Sequence, residues 1–371
     1  PYVNAITSER HTTLVGRTWA DGNRNYIADC NLLDFSRQDN RAAGGDLCDA
    51  PLDQTFGQAR PTTTLEPSIL SGWGVRPYDW QLGVTVQQEV APRVSVEAGY
   101  YRRWWPIYDG TDVTDNIRTT ASDYTAFGVV APSDTRLPNG GGYVVPGVYN
   151  ITPAGAAAGT ENLQKAATAY GNYSRYWDGF DITAQARLRN GLTLQGGTST
   201  GRLVQDICDV RVNVPELSSG TLTSLTNPWC HQGEPLLTTY KALATYLIPR
   251  LDVQVAGTFS SRPGVSLLAN VVYSSASVQG SLGRPLTGVP NVTVNVIEPN
   301  TVFGDRIDQL DLRIGKLLQF GRTRTAINLD VVNALNSNDN LAYSSTFSPS
   351  WPAPTQVLTA RLFRISAQVD F

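Results

Sequence analysis

Four oxygen-bearing side chains, Asp21, Asn23, Asn25 and Asp29, stand at every second position and then at the ninth. That spacing is similar to a DxDxDGxxD calcium loop. Calcium takes about 6–8 oxygens, some from backbone carbonyls, so the stretch is a candidate Ca²⁺ site and calcium is the one cofactor the sequence offers. Two features count against it. Only Asp21 and Asp29 are anionic, and Arg24 lies between them. Asn and Asp side chains also close Asx turns on their own backbone, so a plain polar loop fits the same residues.

Cys30 follows at once and forms a sequence-local pair with Cys48, as Cys208 does with Cys230. No CxxC spacing occurs and the only histidines are His11 and His231, so zinc has no ligand set. Disulfides Cys30–Cys48 and Cys208–Cys230, formed in an oxidising compartment, fit better than four free thiols. A serine triad or a metal hydrolase needs a positioned histidine or a ligand cluster. The two histidines fall in loops or at a strand edge, and the carboxylates are scattered. The sequence therefore reads as non-enzymatic; a carboxylate pair across a barrel rim is the one catalytic option left.

What must position these residues is read from composition and period. Charged residues make up 16% of the 371, with a net charge of -3, which excludes the basic footprint of a nucleic-acid partner. Glycine (33), tyrosine (16) and tryptophan (8) are plentiful, the profile of an all-β protein with aromatic anchors. No apolar run reaches the roughly 18 residues of a spanning helix. A membrane barrel hides its hydropathy in alternation, so it stays open. The start, Pro1-Tyr2-Val3, in a chain without methionine, reads as a processed or truncated end.

Period-two alternation is the strongest signal. In the last segment Phe363, Ile365, Ala367, Val369 and Phe371 oppose Leu362, Arg364, Ser366, Gln368 and Asp370. Similar patterns place strands near 80–90, 94–104, 178–189, 192–204, 237–248, 251–261, 306–319, 323–334 and 359–371, with a tenth near 11–19. Segments 265–273 and 292–298 read as extracellular extensions. Soluble sandwiches alternate too, but these strands run to about 10–13 residues, as tilted membrane strands require. Short turns at Ala91-Pro92-Arg93, Asn190-Gly191, Pro249-Arg250 and Gly321-Arg322 alternate with long polar stretches near 106–175, 207–235, 262–303 and 337–357. Short periplasmic turns and long extracellular loops are the outer-membrane topology. Aromatics collect at strand ends: Tyr78 and Trp80; Tyr100, Trp104 and Trp105; Tyr176 and Trp177. Such rings favour the membrane–water interface.

The expected fold is thus all-β, an antiparallel transmembrane β-barrel of outer-membrane type with about ten strands in this chain. Inward charges at Arg187, Asp311, Arg313, Asp330 and Arg364 need water or partners, which points to a wide lumen and a larger barrel. Residues 1–75 are expected to form an N-terminal strand and a long disulfide-bearing extracellular loop, and 76–371 the barrel strands with their loops.

The runs Asp305–Lys316 and Ala326–Asn336 resemble late barrel strands of TonB-dependent outer-membrane receptors, and Phe371 resembles the aromatic C-terminal signal of outer-membrane assembly. Residues 73–80 and Thr198–Arg202 are similar to the Oar-like subgroup, whose members carry a carboxypeptidase-regulatory-like domain. The resemblance spans most of 70–371 and implies the C-terminal part of such a barrel. The sequence shows no plug, TonB box or regulatory domain. The resemblance implies a bacterial outer-membrane location, lipid as the surrounding partner, and an energy-coupling TonB-type protein reached through an N-terminal part not seen here. A passive porin and a structural or adhesive surface barrel are the alternatives. Ligand contact is expected in the loops, at Trp229, Tyr343, Trp351 and the 21–29 stretch; the substrate is not legible.

Overall fold

The computed structural model describes residues 9–10, 16–31, 33–51, 60–61, 63–72, 75, 78–107, 112–216, 226–320 and 323–370. Two compact units divide the chain: 1–65 with 161–164, and 66–160 with 165–371.

In the larger unit, nine long strands form one antiparallel meander in chain order. They are β1 (Tyr78–Ala91), β2 (Val94–Ile107), β3 (Ser174–Arg187), β4 (Leu192–Asp206), β5 (Leu237–Ile248), β6 (Val253–Arg262), β7 (Ile307–Phe320), β8 (Thr323–Val332) and β9 (Leu362–Asp370). A short strand, His231–Gly233, pairs with the end of β4 and is the tenth member. The nine long strands expected from alternation between 80 and 371 are present. A 14-residue strand such as β7, at about 3.3 Å per residue and tilted about 45°, spans roughly 30 Å, the thickness of a bilayer core. Among the described residues β1 and β9 are not paired with each other, so this is an open stretch of barrel wall.

Register sorts the side chains by face. Val255, Ile314, Leu329 and Ile365 stand in one cross-strand row, and Gly257, Leu312, Val331 and Phe363 in the next. Large apolar groups of these rows are solvent-exposed in the isolated chain, Ile365 by 78% and Ile314 by 53%. A soluble sheet buries such a face against a second layer; a barrel in lipid leaves it outward. The opposite face carries Arg313, Asp330 and Arg364 in register. Asp330 bridges the two guanidinium groups, with Arg364 Nη2 at 2.9 Å and Arg313 Nη2 at 3.2 Å. Arg313, Asp330 and Arg364 are thus paired with one another.

Short connections lie at one end of the meander. At Asn190-Gly191, Gly191 takes φ +85°, which a side chain disfavours, and the Asn190 Oδ1 accepts the Leu192 amide at 3.2 Å. The expected turn at 321–322 lies outside the described residues.

At the other end the long connections are not loose. Tyr124–Val130 pairs with Val144–Ile151, Asn270–Ser274 with Asn291–Asn295, and Asn340–Tyr343 with Pro354–Val357. A helix, Ser275–Leu282, joins the second pair; Ser274 Oγ caps it by accepting the Ser277 amide, and Gly283 ends it in the left-handed region. Phe127, Val129, Val145, Val148, Val278, Val294, Ile297 and Trp351 bury together as one apolar core. Three sequence-distant loops therefore fold into a lobe with an apolar, buried centre. The alternation Val292–Val294–Val296, buried on one side, is what the sequence reading saw as an extension.

In the smaller unit Arg17–Ala20, Gln38–Asp39 and Leu47–Pro51 make a three-stranded sheet. The strand expected near 11–19 is corrected here. Residues 11–15 lie outside the described residues, and the four-residue strand Arg17–Ala20 pairs with Leu47–Pro51 rather than with the long sheet. Four residues are too few to cross a bilayer, whereas a short partner held by a disulfide suffices to order them. Cys30–Cys48 and Cys208–Cys230 are both bonded.

Candidate functional site

Hydroxyls and amides line much of the inner face of the meander, with Leu243 in register among them. A groove of about 680 Å³ opens on it, between β3 and β7. Thr183, Ser199, Thr239, Thr258 and Ser260 bring hydroxyls to it, and Gln195 and Gln309 bring amides. Its charges are Asp181, Asp311 and Lys241. Asp311 is already engaged: its Oδ1 accepts the Asn333 amide at 2.8 Å and the Gln309 Nε2 at 3.0 Å. Asp181 differs, because its Oδ1 is buried and, among the described residues, has no hydrogen-bond partner.

Above the groove, toward the lobe, lies a step of aromatic rings. Strand alternation divides the rings that the sequence reading grouped as one girdle. Trp80, Trp104 and Tyr176 form one cross-strand row on the apolar face, where an interfacial belt belongs. Trp105 and Trp177, one residue further along, must point the other way. Trp177 lies flat on the sheet: a Cβ at Gly201 would come within 2.3 Å of its ring and one at Gly179 within 2.6 Å. Tyr101 covers Gly99 in the same fashion, 2.8 Å from a Cβ there. Glycine at these positions is what lets a large ring rest on the backbone. Arg103 and Arg175 stack over the Trp105 ring at 4.7 and 5.0 Å, and Arg103 Nε also holds Asp79 at 2.8 Å.

The loop residues expected to meet ligand lie elsewhere. Trp351 is 2% exposed and donates from Nε1 to the Leu268 carbonyl at 2.9 Å. Trp229 donates to the Asn295 carbonyl at 2.9 Å, and with Tyr343 it packs against the lobe core. The lobe takes up the whole of the Trp351 ring and part of the other two. Arg211, beside the Cys208–Cys230 staple, is 3% exposed, lies over the Tyr149 ring at 5.4 Å and donates to the Gly147 carbonyl at 2.9 Å. Burial draws its pKa down to about 10, still charged at neutral pH.

In the smaller unit the chain gathers all four expected ligand residues. Asp21 Oδ2 accepts the Tyr26 amide at 2.9 Å, Asn23 Oδ1 the Asn25 amide at 3.1 Å and Asn25 Oδ1 the Ile27 amide at 2.7 Å. The side-chain nitrogens of Asn23 and Asn25 both face Asp29 Oδ2, at 2.5 and 3.4 Å. A cation at this place must displace those two donors from Asp29.

Asp46 orders the same loop, and the sequence reading did not single it out. It is fully buried, and it accepts the Trp19 indole at 2.8 Å and the amides of Gly22 and Asp29 at 2.9 and 3.0 Å. Its neighbour Cys48 is a disulfide partner, which was the available signal. The Trp19 indole, followed by the Asp29 amide, holds the Asp46 carboxyl below the usual carboxylate range. A depressed folded pKa contributes stability above the unfolded value, about 3.9, and that stability is lost as pH falls through the folded one. The Trp19 indole proton is therefore expected to titrate with a midpoint below about 3.9 in NMR spectra, and Asp46→Asn to abolish the titration. A midpoint at or above the ordinary value contradicts this.

His231 Nδ1 lies 3.0 Å from Asp206 Oδ2; His11 lies outside the described residues. Among the described residues no three His, Cys, Asp or Glu side chains gather as metal ligands.

A polar, glycine-backed inner wall, an apolar outer face and a folded lobe at one rim define a stretch of outer-membrane-type β-barrel wall. No protein-family model matches the sequence, and no characterised protein matches it in sequence. Among solved structures the chain is similar to the outer membrane transporter YddB from Escherichia coli, at 12% identity and a TM-score of 0.38. The match covers 78% of this chain and 32% of that one, so the chain spans about a third of that transporter's length.

Proposed function

We propose that the chain supplies part of the lumen wall and the extracellular lobe of a receptor-type barrel. It takes up a nutrient too large for simple porins across the bacterial outer membrane. The observation that carries this reading is the lobe. A pore that only lets solutes diffuse has no use for three long connections folded into a common core, whereas a receptor needs a shaped, ordered surface at its mouth. The resemblance of 305–316 and 326–336 to TonB-dependent receptors supports energised uptake through a TonB-type partner, contacted by a part of the protein outside this chain. The reading assigns no reaction to the chain.

The test is deletion of the full-length gene, followed by uptake assays over iron chelates, glycans and peptides. Loss of one nutrient class, restored by the intact gene, is the expected result. Unchanged uptake of every candidate with a fall in general solute permeability favours the passive porin instead.

A further inference from the structure

The groove has a composition that narrows what it can hold. We infer that the groove and the aromatic step above it bind a neutral polyhydroxylated chain, an oligosaccharide segment of the transported nutrient. This rests on the uptake reading and names the substrate class of the same wall.

The first observation is the balance of charge. Asp181 and Asp311 against Lys241 leave the groove at -1, and Glu97, directly opposite Thr183 on β2, makes the wall more acidic. A site for an anionic chelate would concentrate Arg and Lys. Of the neighbouring cations, Arg103 is held by Asp79, and Arg313 and Arg364 share Asp330; Arg187 lies on the same face of β3, six residues from Asp181 at the short-turn end.

The second is the chemistry of the uncharged lining. Hydroxyls and amides both donate and accept, as the hydroxyls of a sugar do. The Asp181 carboxylate lines the groove and, among the described residues, its Oδ1 has no donor, so a ligand hydroxyl that reaches the carboxylate brings it a hydrogen bond the protein does not supply.

The third is the ring step. Gly99 pairs with Asp181, and Tyr101 covers Gly99, so its ring borders the carboxylate. Trp177 covers Gly201, two residues along β4 from Ser199. Both rings are half-buried, with one face on glycine backbone and polar groups around them. Filling a glycine gap explains the seated face. It does not explain two large rings beside a hydroxyl-lined groove on the polar side of the sheet. The C–H faces of a pyranose stack on such rings while its hydroxyls reach carboxylate and amide.

The experiment is calorimetric titration of the full-length gene product in detergent micelles. The probes are neutral hexasaccharides of glucose, mannose, xylose and N-acetylglucosamine, with ferric citrate as the anionic comparison. At least one sugar is expected to bind saturably and ferric citrate not to bind. Asp181→Asn should weaken the sugar at least about tenfold, the worth of a hydrogen bond to a charged group. Tyr101→Ala should abolish it and Tyr101→Phe retain it. The inference is overturned if no sugar binds, if ferric citrate competes, or if sugar affinity is the same in Asp181→Asn. Should Tyr101→Ala not fold, Asp181→Asn and Tyr101→Phe decide. Absence of sugar binding with uptake still dependent on the gene sinks the sugar assignment alone; absence of an uptake defect sinks the receptor reading alone.

Discussion

Replacing Trp351 with alanine is expected to unfold the extracellular lobe while leaving the long sheet intact. Trp351 sits where the loop after β8 crosses the two strand pairs of the earlier loops, and it is 2% exposed. Its indole donates to the Leu268 carbonyl, and its ring meets Phe347 with centroids 5.4 Å apart. Arg136 reaches across from the first loop to the carbonyls of Ser348 and Pro349, at 3.2 and 3.0 Å, and to that of Trp351. Truncating a buried Trp costs about 3–5 kcal/mol, and the orphaned Leu268 carbonyl adds to it. A lobe closed by loops far apart in sequence has little other reserve, so local opening should approach full population. Hydrogen exchange followed by mass spectrometry is the measurement. Protection should be lost at 124–151, 267–297 and 340–357 and kept in β2 through β7. Unchanged exchange in the lobe would show that its core is not what orders it. Equal loss in the sheet would show that lobe and wall fold as one cooperative unit.

The same residue shows where the sequence was legible. Strands β1 to β9 announce themselves because each must offer lipid one side and water the other. The residues alternate for as long as the bilayer lasts, and Ile365 or Arg364 can be assigned a face from its parity alone. The lobe obeys no such rule. Trp351, Trp229 and Tyr343 stand among polar residues and Pro, so they read as surface aromatics waiting for a ligand. Their burial depends on a core shared with Val294 and Leu267, dozens of positions away, which no local period encodes. Trp105 and Trp177 failed differently: they were grouped with their neighbours by position along the strand, when parity already placed them inside. Asp46 illustrates a third limit. A carboxylate serving as the hub for three donors looks, in sequence, like any other loop aspartate.

The face assignment has a direct energetic test in Ile314→Arg. Ile314 is the eighth of fourteen residues in β7, close to the middle of the span, and is flanked in its row by Val255 and Leu329. In water an exposed isoleucine replaced by arginine costs almost nothing, since the guanidinium is solvated and the lost apolar contact is small. In lipid the same change places a charge near the midplane, where barrel strands lose about 2–4 kcal/mol. Thr258→Arg is the control, two strand positions from Ala256, which pairs with Arg313, and on the groove side. Water in the lumen solvates that guanidinium, so folding should change by less than about 1 kcal/mol, the range for substitutions away from buried features. Because successive residues face opposite sides, a slip of one residue in register would exchange the two outcomes. Equilibrium refolding of the full chain into phosphatidylcholine bilayers measures both variants against the parent. A large loss for Ile314→Arg with little change for Thr258→Arg fixes which side meets lipid. Equal, small effects would mean that the apolar face is covered by protein rather than lipid, and the reading of this sheet as a membrane wall would fall.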